Sequence, residues 1–118
     1  MTTLYGIPNC DTVKKARAWL SEHSVAHDFH DFKKLGVPRA ALDQWLAQLG
    51  WERLMNRKGT TWRQLDEATR AAVVDAASAR PVLLTHPSLI KRPVVRWTGQ
   101  NEAVTVGFDA ADWSARAA

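Results

Sequence analysis

Residues 2–32 read TTLYGIPNCDTVKKARAWLSEHSVAHDFHDF, and this stretch decides the fold. Thr2 to Tyr5 read as a short opening strand that ends at Gly6, followed by Pro8 and Asn9. From Cys10 to His23 the apolar residues Val13, Ala16 and Leu20 recur at helical spacing. Lys14, Lys15 and Arg17 cluster beside them, and Asn9 is the expected N-cap. Val25 to Phe32 then reads as a second strand, with Val25, His27, Phe29 and Asp31 on one face by its period of two. Strand, helix, strand is a βαβ unit, which predicts a parallel pair with a right-handed crossover.

Outward from this unit the pattern changes. Pro38 fits the first turn of a helix running to about Gln48, with Ala41, Leu42, Trp45, Leu46 and Leu49 on one face and Gly50 ending it. Gly59-Thr60-Thr61 reads as a turn, and Asp66 to Ala79 as one amphipathic helix carrying Ala68, Ala72, Val73 and Ala76. A short helical segment is expected near Val82 to Thr85. Strand character returns after Arg92-Pro93: Val94 to Trp97 and Ala103 to Val106 flank the turn Gly99-Gln100-Asn101, a hairpin signal. Asp109 is the expected N-cap of a closing helix to Ala115, with a frayed tail from Ala115 to Ala118. The whole reads as one α/β domain over residues 1–118, with a helical insert at about 36–90. A four-stranded mixed sheet flanked by helices buries these faces economically, which is the thioredoxin-like arrangement with an inserted helical subdomain.

Bulk properties narrow the function classes. A chain of 118 residues suits one domain and can bury a core without disulfides. No apolar run is long enough to span a membrane, and no basic or hydrophobic leader opens the sequence, so a cytoplasmic protein is expected. The net charge of +4 suits an anionic small molecule. The basic residues form three short groups (Lys14, Lys15 and Arg17; Arg53, Arg57, Lys58 and Arg63; Lys91, Arg92 and Arg96), none a dense basic run, so nucleic acid is not the expected partner. His27 and His30 fall on opposite faces of a strand, which argues against a shared metal ion.

The single cysteine, Cys10, is the candidate reactive group. It falls where a loop leaves a strand and a helix begins, among the polar residues Asn9, Asp11 and Thr12. Free N–H groups of the first helical turn, together with the helix dipole, favour an anion there, and the thiolate is the nucleophilic form of cysteine. Lys14 stands one turn further on. Val13 occupies the third position after Cys10, so there is no C-x-x-C pair. Disulfide chemistry would then be monothiol, with an outside thiol resolving a mixed disulfide, and glutathione is the obvious candidate.

Three blocks together resemble the arsenate reductase/Spx family, most closely its YffB branch of glutathione-dependent thiol reductases. They are the opening Leu4 to Ala16, the block Leu54-Met55-Asn56-Arg57-Lys58-Gly59-Thr60-Thr61-Trp62, and His86-Pro87-Ser88-Leu89-Ile90-Lys91-Arg92-Pro93. The resemblance implies a thioredoxin fold, Cys10 as the active-site thiol, and a cis Pro93 that sets Arg92 facing it. Arg92, Arg57, Pro93 and Lys14 are the expected ligand-binding residues, with glutathione as co-substrate and no bound cofactor or metal. A small disulfide or anionic substrate is the expected partner. Two other readings come with the family. A Spx-type regulator would bind the RNA polymerase α subunit, although Val13 removes the redox switch. An arsenate reductase would carry arginines near positions 56 and 107 and a histidine ahead of the cysteine. This chain has Asn56, with Arg57 beside it, then Gly107 and Gly6. An oxyanion needs several converging donors, and these departures remove them.

Overall fold

The computed structural model describes residues 1–117, which form two compact units: Met1–Leu35 with the chain from Arg92 onward, and Gly36–Lys91.

The first unit is built on a four-stranded sheet of order β2-β1-β3-β4. Strand β1 (Thr2–Gly6) leads into helix α1 (Asp11–Glu22), and β2 (His27–Asp31) returns parallel to β1, with Thr2 opposite His27 and Gly6 opposite Asp31. The four-residue helix α2 (Phe32–Leu35) closes this half. Strand β3 (Val94–Trp97) pairs antiparallel with β1, Tyr5 facing Val94, and β4 (Ala103–Val106) pairs antiparallel with β3. The last helix of the chain, Ala110–Ala117, is initiated by Asp109, whose carboxylate accepts from the N–H groups of Ala111 and Asp112. It runs regularly to Ala117 rather than fraying from Ala115; Ala118 lies outside the described residues.

Alternation along the strands explains the core. Leu4, Val95 and Trp97 join Val13, Ala16, Trp19 and Leu20 of α1 and Trp113 of the closing helix in one buried cluster. Trp113 is its hub: the rings of Trp19, Trp97 and Phe108 meet it edge-on at centroid distances of 5.6, 5.2 and 4.7 Å. Such edge-to-face pairs add about 0.5–1.5 kcal/mol each beyond their buried area. The indole N–H of Trp97 donates to Thr105 Oγ1 at 2.9 Å, so its polar handle is satisfied. Gly6 is forced by this packing. A Cβ at position 6 would stand 2.9 Å from Val13 Cγ2, so the end of β1 lies directly against α1.

The second unit is a run of short helices: α3 (Arg39–Leu49), α4 (Trp51–Leu54), α5 (Thr60–Gln64), α6 (Glu67–Ala72) and α7 (Ala76–Thr85), then a 3-10 turn at Pro87–Leu89. The closing helix of the first unit is accordingly α8. Leu42, Trp45, Leu46 and Leu49 are the buried face of α3, as their spacing predicts. Four local expectations are corrected. Pro38 has an extended ψ of 125° and sits at the N-cap of α3, where its carbonyl accepts from Leu42, rather than inside the first turn. Gly59-Thr60-Thr61 is the entry to α5. Residues 66–79 are not one helix. Asp75 accepts from the Ser78 N–H while Ser78 Oγ accepts from the N–H groups of Val74 and Asp75, so α6 stops and α7 starts afresh. This reciprocal capping outweighs the helical period that runs across it, and the segment expected separately at Val82 to Thr85 is the end of α7.

Candidate active site

The site is assembled by the register of the sheet. Strand β1 runs out at Gly6, and Ile7-Pro8-Asn9 carry the chain to Cys10, with Pro8 and Asn9 exposed. Cys10, not Asn9, is the N-cap of α1: its backbone is extended (φ −141°, ψ 122°), and its carbonyl accepts from the Lys14 N–H at 2.9 Å. Cys10 is half-buried, packed against the core cluster that includes Val13. The Cys10 side chain makes no capping hydrogen bond to this helix start. The first-turn N–H groups of α1 thus receive no hydrogen bond from their cap side chain. Asp66 and Asp75 do cap the starts of α6 and α7, whereas α3, α4 and α5, like α1, have no cap from their N-cap side chain.

Arg92 and Pro93 reach the same end of the sheet from the other direction. Because β3 runs antiparallel to β1 and Val94 faces Tyr5, the two residues before Val94 stand where β1 ends. The Arg92–Pro93 bond is cis; Pro93 is buried and Arg92 half-buried. The Pro93 carbonyl accepts from the Gly107 N–H at 2.9 Å, which ties the exit of β4 to the entrance of β3. Gly107 has φ +82°, a left-handed backbone that glycine adopts without strain and a side chain resists. Lys14 is exposed in the first turns of α1. Cys10, Lys14, Arg92 and Pro93 thus belong to one end of one sheet.

Arg57 belongs to the helical unit and is already engaged there. Its guanidinium lies 3.4 Å from Glu52 Oε2 and 5.1 Å from the centroid of the Trp51 ring. The two motif blocks of this unit are joined to each other, which the sequence pattern did not announce. Met55 and Ile90 form an isolated antiparallel bridge. Beside it the Asn56 N–H donates to the Leu89 carbonyl at 2.7 Å and the Lys91 N–H to the Leu54 carbonyl at 2.8 Å. Asn56 Oδ1 accepts from Lys58 N–H, and the Thr61 and Ser88 hydroxyls stand 3.0 Å apart. The only hints were two short apolar pairs, Leu54-Met55 and Leu89-Ile90, too brief to read as strands.

The histidines serve other ends. His23 stacks on Trp19 at 3.8 Å between centroids, His27 Nδ1 lies 2.8 Å from the Val25 carbonyl, and His30 packs against Tyr5 and Phe32. Among the described residues no group of three or more His, Cys, Asp or Glu side chains could hold a metal ion, and no helix is long and apolar enough to cross a membrane.

A four-stranded mixed sheet whose first strand hands a half-buried cysteine to a helix N-terminus defines the thioredoxin-like class. Within that class the chain belongs to the ArsC family, whose sequence model matches residues 5–116. The solved structure of a protein named YffB superposes with a TM-score of 0.92 at 48% identity, covering the whole of both chains. An arsenate reductase (ArsC) related protein from Brucella melitensis is also 48% identical, with a TM-score of 0.72 over 97% of this chain and 92% of that one. By sequence the chain is 42% identical to an uncharacterized protein of Haemophilus influenzae, covering 98% of this chain and 97% of its length. It is 30% identical to the global transcriptional regulator Spx of Streptococcus agalactiae, covering 92% of this chain and 77% of that protein.

Proposed function

We propose that this protein is a glutathione-dependent thiol-disulfide reductase that works through Cys10 alone. The observation that carries the reading is a cysteine at the N-cap of α1 whose side chain makes no capping hydrogen bond. Oriented N–H groups there favour the sulfur in its anionic, nucleophilic form. The Cys10 thiolate attacks one sulfur of a mixed disulfide between glutathione and a substrate thiol. A bond forms from Cys10 Sγ to the glutathione sulfur, the original S–S bond breaks, and the substrate thiolate leaves with the electron pair and is protonated by water. A second glutathione thiolate then attacks the Cys10 mixed disulfide, frees Cys10 and departs as oxidised glutathione. Substrate is reduced and glutathione oxidised, with no bound cofactor required.

Arg92 and Lys14, cations at the same end of the sheet as Cys10, are assigned to the carboxylates of glutathione, and buried Pro93 to the wall of its groove. Arg57 is assigned to ligand binding as well, and its variant is to be tested apart because Glu52 and Trp51 already engage it. Such chemistry fits a reducing, cytoplasmic setting. Mass spectrometry after incubation with oxidised glutathione is the direct check. A single glutathione adduct on Cys10, absent from Cys10→Ser, is expected; a wild-type protein without adduct removes the reading. Arg92→Ala is expected to raise the glutathione concentration needed for half-maximal rate about tenfold, the loss of one charge-assisted contact.

The identity with Spx over 92% of the chain favours a second reading, a regulator that binds the RNA polymerase α subunit. Capture of that subunit by immobilised protein, independent of Cys10, is its test. Arsenate reduction has less support: Gly107 has a backbone that resists an arginine, and a side chain at Gly6 would collide with Val13.

A further inference from the structure

The mechanism uses Cys10 and its nearest cations, yet positive charge continues well beyond them. Lys14 and Lys15 are exposed in the first turns of α1. Arg17, half a turn further, lays its guanidinium over the ring of Phe29 in β2, 4.2 Å from the centroid. That contact ties the flank of α1 to the middle of β2, where Phe29 lies opposite Leu4. Strand β2 finishes at Asp31, level with Gly6 in the parallel register, and the chain turns straight into α2 with Lys33 and Lys34 exposed. Asp31 is turned inward to this turn, its Oδ1 accepting from the Lys33 N–H at 2.8 Å. Asp11, Glu22 and Asp28 are the other carboxylates in these segments, and all three are exposed. Five exposed cations thus stand on α1 and α2, the elements that follow the cysteine end of β1 and of the edge strand β2.

Deepening the thiol-exchange reading, on which this rests, we infer that the disulfide attacked by Cys10 is carried by an acidic polypeptide that docks along Lys14, Lys15, Arg17, Lys33 and Lys34. Lys33 and Lys34 lie on a different element from the thiol, so they gain contact only with a substrate that extends past its own sulfur. A polypeptide is favoured over a nucleic acid because the neighbouring thiol needs a disulfide to attack. Opposite charge on the partner raises the encounter rate and orients the approaching sulfur, an effect that salt screens. The chemistry is the exchange already described, with the substrate thiolate leaving on the peptide.

The test uses the full chain and three peptides of equal length. Each has one cysteine blocked as a 2-thiopyridyl disulfide, flanked by glutamates, glutamines or lysines. Attack by the Cys10 thiolate on the peptide sulfur forms a protein–peptide disulfide and releases 2-thiopyridone, which is read by absorbance. At low salt the glutamate peptide is expected to react about tenfold faster than the lysine peptide, with the gap closing as salt rises. The double variant Lys33→Glu, Lys34→Glu should erase most of that preference while leaving the glutamine peptide's rate unchanged. Equal rates for the three peptides, a preference untouched by the double variant, or a duplex oligonucleotide that displaces the glutamate peptide overturns the inference. Failure of the glutamine peptide to react with wild-type Cys10 overturns instead the thiol-exchange reading.

Discussion

The helix starts at Cys10 and at Asp75 solve the same physical problem in opposite ways. At Asp75 the exposed N–H groups are answered locally: the carboxylate accepts from Ser78, and the Ser78 hydroxyl accepts back from Asp75 and Val74. That exchange is strong enough to break a helical period that otherwise runs through residues 66–79. At Cys10 the cap residue has the same extended backbone, but its side chain makes no capping hydrogen bond. Its stability comes from elsewhere, from Val13, Ala16, Trp19 and Leu20 packed into the core of the sheet. A helix held by its buried face can leave its N-terminus open for an anion, whereas a ten-residue helix with two core residues depends more on its cap. In the proposed mechanism the start at Cys10 serves chemistry, while the one at Asp75 serves folding.

The largest expected effect exploits the first of these. Cys10→Ser should abolish adduct formation and disulfide exchange altogether, to the limit of detection by mass spectrometry, because a hydroxyl cannot form the mixed disulfide. Retained exchange in that variant would break the comparison at its root. Next in size is Gly6→Ala. Its Cβ would press on Val13 Cγ2 in a filled core, and a loss of about 1–3 kcal/mol in urea unfolding is expected. Because Gly6 and Val13 hold the loop that presents Cys10, the exchange rate should fall in the surviving folded protein as well.

Smaller is the effect of Asp75→Ala, which should lower the urea midpoint without changing the slope of the transition, while leaving Cys10 exchange untouched. Its pH signature has a definite sign. Hydrogen bonds from Ser78 hold the Asp75 carboxyl below the ordinary carboxylate range, and those from Thr69 do the same for Asp66. Depressed folded values mean that the stabilisation is complete above the unfolded value of about 4 and is lost as pH falls through the folded value. Melting temperatures measured from pH 7 down to 3 should therefore fall steeply at the acid end, and less steeply in Asp75→Ala. The smallest effect sharpens the contrast most: Cys10→Ser should gain about 0.5 kcal/mol, since serine is a better cap than cysteine. A loss of stability there would mean that the start of α1 is already satisfied.

The elements legible in the chain were those whose signals are local and repeated. The period of Val13, Ala16 and Leu20, the hairpin around Gly99-Gln100-Asn101, the cap at Asp109 and the buried face of α3 all stand where their spacing puts them. What misled was competition between local signals. Helical periodicity over residues 66–79 runs across the Asp75–Ser78 cap, and Asn9, a residue type favoured at caps, stands one position before Cys10, whose backbone takes the role. The bridge between Met55 and Ile90 joins segments 35 residues apart through backbone groups alone, and no side-chain pattern encodes such a pairing.

Composition and spacing alone determined that this chain is an α/β protein with one thiol at a strand-to-helix junction and no second cysteine to resolve it. The tertiary structure decided what surrounds that thiol. Only the antiparallel register of β1 and β3 brings Arg92 and Pro93 to the cysteine end of the sheet, and only the parallel register of β1 and β2 brings Lys33 and Lys34 there. The physical reason is that a helix or turn is written in neighbouring residues, while strand register is fixed by which faces can be buried together, and that is settled by the whole core at once.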